Sequence, residues 1–367
     1  MNSDFSAVND DRTDRDARLA AARRLAATWP PDLTARCEID LHCHSFCSDG
    51  YFSPAGKVFE AYRRRMKAIA ISDHDLFDGQ LEALEAGQIF GVEVVPAVEF
   101  YTDRPGIEII GHFPLVEPFR KLYASGVLAE VVEPIRAAKQ RQLQQMLARI
   151  PDCFRRLNFT AEITPEDIRR YIRNGISTKG DISVAMWQKY GPELAARGLA
   201  ADVKDFQFRY TTKDEMLNVP LDLNLDLSPA AFVRRIRGWG GLPGFAHPTE
   251  LRKKEGLGNT ALAMEIDRLA QVGLQSVEVD GWRNGTCPET GRPQTAVFNE
   301  LRLQWNAAHP DALPLLFTNG SDDHNQPGEG LELGGGKNRN LHPEFGRYAN
   351  LLELRTRQQL LLSRELA

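Results

Sequence analysis

Two imidazoles two residues apart, His42 and His44, end the apolar run Cys37-Glu38-Ile39-Asp40-Leu41, and a carboxylate, Asp49, stands five residues further on. The run has the length and character of a short buried strand, where residues two apart share a face. Asp40, His42 and His44 are then expected to point the same way. Two imidazoles with a nearby carboxylate make half of a transition-metal site. A single His-x-His pair is equally well explained by hydrogen bonding alone, so the decision rests on the other histidines. His74 follows the apolar run 67–72, His112 follows 107–110, and His247 follows 241–246. Glu99 ends 92–98, while Asp322 and His324 come after 313–318. Six of the eight histidines thus stand at the ends of candidate strands, and only His309 and His342 fall elsewhere. With the carboxylates they exceed the needs of one four-coordinate zinc and suffice for two or three divalent ions. A donor set rich in nitrogen and oxygen suits manganese, zinc or ferrous iron.

Side chains from different strand ends converge only where a sheet closes on itself. The apolar runs at 37–43, 67–72, 92–98, 107–110, 241–246, 276–280 and 313–318 alternate with helical stretches at 54–65, 79–88, 229–237, 260–272 and 293–308. Such alternation argues a parallel α/β sheet, and seven strands fit a distorted (β/α)7 TIM-like barrel with its site at the strands' C-terminal ends. Residues 115–228 break the rhythm with a long helical stretch at 134–149, too long for a simple connection. They read as a helical insertion in a barrel domain spanning 37–345. Residues 1–36 read as a helical extension, with an amphipathic helix over 11–28, and 346–367 as a closing helix.

Composition narrows the class. The chain has 367 residues, is 42% hydrophobic and 26% charged, and carries a formal net charge of -5. No run of 18 apolar residues spans a membrane, and the polar N-terminus lacks the apolar stretch of a secretory signal. Five cysteines without a CxxC pair fit a reducing, cytoplasmic setting better than a disulfide framework. The net acidity speaks against stable duplex nucleic-acid binding.

On these residues the chain resembles the PHP (polymerase and histidinol phosphatase) superfamily of metal-dependent phosphoesterases. The motifs are DLHCHSFCSDG (40–50), ISDHD (71–75), the strand-ending Glu99, IIGHF (109–113), FAHP (245–248) and NGSDDH (319–324), in the family's order over about residues 37 to 330. The likeness is greatest to its small-molecule branch of nucleoside-bisphosphate phosphatases, oligonucleotide-trimming enzymes and histidinol-phosphate phosphatases. The resemblance implies a trinuclear centre. One ion would take the catalytic set His42, His44, Glu99 and Asp322, a second would share Glu99 and add His112 and His247, and a third would take Asp49, His74 and His324. It also implies that a metal-bridging hydroxide attacks a phosphomonoester in line with the leaving alkoxide. Asp40, Asp73 and Asp75 are candidates to orient the imidazoles, or equally to cap the following helix.

The chain departs from the family in the insertion. Where many relatives carry a GRPHI-like segment, the best match is residues 177–182, with Lys179 for the arginine and Asp181 for the histidine. Lys179, with Arg136 and Arg141 on the preceding helix, are the candidate substrate-binding residues. The stretch 204–209 (KDFQFR) either stacks bases or packs Phe206 and Phe208 inward. The first reading is a phosphatase acting on a small phosphorylated metabolite or nucleotide. A 5'-3' trimming exonuclease on short oligonucleotides is the alternative, and a metal-dependent amidohydrolase or a scaffold without metal are readings from other classes.

Overall fold

The computed structural model describes residues 3–169, 179–212, 215–280, 285–325, 330, 332–337 and 341–365. All seven apolar runs form strands: β1 (Ile39–Cys43), β2 (Ala68–Ile71), β3 (Glu93–Tyr101), β4 (Glu108–His112), β5 (Leu242–Ala246), β6 (Ser276–Asp280) and β7 (Leu316–Gly320). They pair in sequence order in one sheet. Its two edges meet, for Asp322 N–H donates to the His42 carbonyl (2.9 Å) and His44 N–H to that of Asp323 (3.0 Å). Gly320 permits this approach, since a Cβ there would lie 2.0 Å from the Cβ of His42. The result is a nearly closed seven-stranded barrel.

One strand runs the other way. β4 is antiparallel to both β3 and β5, while the remaining pairs are parallel. The cause is the connection: residues 102–107 are six, and a parallel return needs a crossover of a dozen or more. Gly106, at φ 85°, turns the chain there, where a Cβ would press on the main chain of Leu251. The register places Glu108 opposite Tyr101 and Ala246, and His112 opposite Ala97 and Leu242. It is therefore the start of β4, not its end, that reaches the ligand-bearing end of the sheet.

Helices α1 (Ser3–Val8) and α2 (Arg15–Thr28) precede the barrel; α3 (Pro54–Arg63) and α4 (Gln80–Phe90) follow β1 and β2. A buried ion pair ties α2 to α4, with Arg18 Nη2 2.6 Å from Glu82 Oε2. α5 (Val116–Ser125) follows β4. Residues Met1–Gly126 and Asp226–Ala367 form one compact unit and Val127–Leu225 a second, so α5 belongs with the barrel.

The second unit holds α6 (Ala129–Arg155), α7 (Pro165–Arg169), α8 (Lys179–Ala196) and α9 (Val203–Tyr210). These gather around Phe154, Phe159, Ile182, Met186, Leu194 and Phe206. Of the two aromatics expected to pack inward, Phe206 is fully buried and stacks on Phe154 (5.8 Å, 4°), but Phe208 is 72% exposed. They lie two apart on a helix, where they cannot share a face.

The barrel unit resumes with α10 (Pro229–Gly238), α11 (Thr249–Glu255), α12 (Asn259–Gln271), α13 (Gln294–Ala308) and α14 (Tyr348–Glu365). Leu351 and Leu354 of α14 join Ile39, Leu41, Ala70 and Leu242 in one apolar cluster. Among the described residues no helix is long and apolar enough to cross a membrane, and all five cysteines are free.

Candidate metal centre

Six of the seven strands, all but β6, deliver donors to the same end of the barrel. β1 carries His42 and runs on into His44; His74 follows β2 and pairs its main chain with Glu99 of β3. His247 follows β5, and Asp322 and His324 follow β7. His247 and Asp322 hold left-handed backbone, at φ 26° and 55°. For side chains other than glycine that conformation costs about 1–3 kcal/mol each, and it persists only where the surroundings enforce it.

Among the described residues three groups of donor atoms lie within 4.8 Å of one another: His42, His44, Glu99 and Asp322; His44, Asp49, His74 and His324; and His74, Glu99 and Glu108. In the first, His42 Nε2 lies 3.1 Å from Glu99 Oε2 and 3.4 Å from Asp322 Oδ1, and His44 Nε2 3.3 Å and 3.1 Å from the same atoms. The two Nε2 atoms are 3.1 Å apart. All four residues are buried. In the second, His324 Nε2 is 3.3 Å from Asp49 Oδ1, and the His44 ring stacks on His324 (4.3 Å) and His74 (4.5 Å). In the third, His74 Nδ1 lies 3.3 Å from Glu99 Oε2. His247 Nε2 reaches Glu99 Oε1 (2.8 Å) and Glu108 Oε2 (3.3 Å).

This donor set fits metal cations. His42 Nδ1 faces Glu278 Oε2 at 2.8 Å, and when Nδ1–H donates there the lone pair of Nε2 points inward. That lone pair then meets two carboxylates and the Nε2 of His44, a convergence of acceptors that a cation resolves. The electrostatics point the same way. Burial pulls down the proton affinity of His42, but Glu99, Glu278 and Asp322 push it well above the usual value. Burial alone would raise Glu99, yet His42, His74 and His247 hold it well below the carboxylate range. His74 drops to about 3, chiefly through burial, with Glu99 and Asp49 opposing.

His112 is a correction. It joins none of the three groups; its Nε2 lies 2.7 Å from the Leu41 carbonyl, and burial lowers its pKa to about 4. The reversed direction of β4 is the reason, because it carries His112 away from the ligand end and brings Glu108 there. Glu108 and Glu278 are the two site carboxylates missed in the sequence. The available signal was a charge inside an apolar strand, in Ile107-Glu108-Ile109-Ile110 and Val277-Glu278-Val279, since a buried charge requires a partner.

The other aspartates buttress the main chain. Asp40 accepts from the N–H groups of His42, Ser321 and Gly334 (3.3, 3.0 and 2.7 Å), Asp73 from Ser45 N–H (2.8 Å) and two serine hydroxyls, and Asp75 from Tyr101 N–H (3.2 Å). Of the candidate substrate residues, Arg141 donates to the Asp222 carbonyl (3.0 Å) and Arg136 lies 3.7 Å from Glu133. Lys179 opens α8, and its side chain, like residues 177 and 178, lies outside the described residues.

No family model matches the chain. It is 42% identical over 74 residues to a 5'-3' exoribonuclease of Haemophilus influenzae, covering 20% of this chain and 27% of that one. It is 30% identical over 118 residues to a 3',5'-nucleoside bisphosphate phosphatase of Chromobacterium violaceum, covering 32% and 41%. The chain thus spans less than half the length of either curated relative. Among solved structures it superposes on a candidate metal-dependent phosphoesterase from Bifidobacterium adolescentis with a TM-score of 0.59, at 24% identity over 89% of this chain and 97% of that one. At that identity the likeness is one of fold.

Proposed function

We propose that the chain is a metal-dependent phosphoesterase that hydrolyses a phosphomonoester of a small metabolite or nucleotide. The observation that carries the proposal is the buried convergence of His42, His44, Glu99 and Asp322 on one point. His42, His44, Glu99 and Asp322 would hold one ion, Glu99, Glu108 and His247 a second, and Asp49, His74 and His324 a third. Bound there, divalent ions supply Lewis acidity toward a phosphoryl oxygen and acidify water. Glu278 keeps His42 in the tautomer that can ligate. Glu99, with one oxygen toward His42 and the other toward His247, would serve two ions. Burial of these groups strengthens every charge interaction at the site. Manganese, zinc and ferrous iron all suit the donors, and the carboxylates of Glu99 and Glu108 favour the harder manganese at the second position.

The partial match to the exoribonuclease favours, as a second reading, removal of 5' nucleotides from short oligonucleotides. A phosphate-release screen over phosphorylated metabolites and bisphosphorylated nucleotides, run beside a gel assay on a labelled trinucleotide, separates the two. Free phosphate without shortening of the trinucleotide is expected. Shortening alone would replace the first reading with the second, and neither product would sink both.

A further inference from the structure

Lys57 is a buried cation next to the proposed metal centre. It lies in the first half of α3, whose N-cap is Ser53, and is fully buried. A cation near a helix N-terminus opposes the helix dipole, and burying an ammonium group is costly. Neither local propensity nor stability explains it, because a buried ion pair is often no more stabilising than apolar residues of the same volume. Its contacts suggest another role. Lys57 Nζ donates to the carbonyl of Asp323 (2.7 Å) and lies 3.0 Å from its carboxylate, which is also fully buried. Asp323 stands between Asp322 and His324, and its carbonyl also receives the N–H of His44. One carbonyl thus joins the turn after β7 to the end of β1, and the ammonium of Lys57 is fixed to it. The turn needs that restraint, since Asp322 and Asn325 both hold left-handed backbone at φ 55°.

We propose that Lys57 is a positioning residue for two of the ion sites: its buried bonds to Asp323 hold the turn that presents Asp322 to one ion and His324 to another. They also keep the carboxylate of Asp323 occupied, so that it stands among ligands without ligating. The inference rests on the metal-dependent reading above.

The test measures Mn2+ binding to chelator-stripped protein by titration calorimetry, with melting temperatures recorded with and without Mn2+. It compares the wild type, Lys57→Met, and the double variant Lys57→Met with Asp323→Asn. The double variant leaves no unpaired buried charge and supplies a folded protein if the single variant does not fold. Loss of a partner behind a metal ligand typically weakens binding about 10–100-fold. That loss is expected in Lys57→Met and to a similar extent in the double variant, because Lys57 acts through Asp323. The rise in melting temperature on adding Mn2+ should shrink in both, and kcat should fall with KM little changed. A purely structural lysine would lower the melting temperature equally with and without metal and leave affinity alone, which would overturn the proposal. So would wild-type affinity in the double variant. A wild type that binds none of Mn2+, Zn2+ and Fe2+ would overturn this inference and the metal-dependent reading together, whereas equal binding by wild type and variants would overturn this inference alone.

Discussion

At the scale of single residues, the centre depends on carboxylates shared between imidazoles. Glu99 lies within 3.3 Å of three of them through Oε2 and meets His247 through Oε1. Glu99→Gln keeps the shape and removes the charge, so metal content should fall and hydrolysis should drop by more than the roughly 10–100-fold typical of losing an outlying partner. Elemental analysis beside a rate assay checks this, and near-normal values of both would exclude a bridging role. Glu108 and His112 form a sharper pair, four residues apart on one strand. Glu108→Gln should weaken metal binding while the fold persists. His112→Ala should keep the metal and lose about 1–3 kcal/mol of stability, because it strands the Leu41 carbonyl in the interior. Denaturant unfolding with metal titration separates the two, and metal loss in His112→Ala alone would restore His112 as the ligand.

At the scale of elements, the same reasoning distinguishes the two aromatics of α9. Phe206 is sealed against Phe154 and Tyr210, so Phe206→Ala should cost about 3–5 kcal/mol in the second unit. Phe208 is exposed on the same helix, and Phe208→Ala should change stability by no more than about 0.5 kcal/mol. Chemical denaturation of the two variants provides the comparison. If Phe208→Ala instead weakens substrate turnover with stability intact, the stacking role considered for residues 204–209 gains its first support.

At the scale of the whole molecule, the donors come from six strands and their following turns, so the centre exists only when the barrel is closed. Metal that binds the folded chain and not the unfolded one must then stabilise it. At a free concentration of 100 times Kd a single ion contributes about 2.7 kcal/mol, so the melting temperature should climb as metal is added and fall on chelation. Calorimetric scans at several metal concentrations test this, and a melting temperature independent of metal would argue that the donors are no site.

Much of this was legible in the sequence. The apolar runs marked all seven strands, and most of the histidines stood where those runs end, because strand formation and burial are local consequences of composition and period. Strand direction was legible too, had connection length been weighed: the short link between β3 and β4 excludes a crossover, and it exchanges His112 for Glu108. Other features needed the tertiary structure. Glu278 is 236 residues from the imidazole it orients, and Lys57 is 266 residues from Asp323. A charge inside an apolar segment announces that a partner must exist, but only closure of the barrel decides which one. The sequence therefore determined the strands and most of the donors, while the fold decided which donors meet, because a metal centre is defined by distances between strand ends that no local pattern encodes.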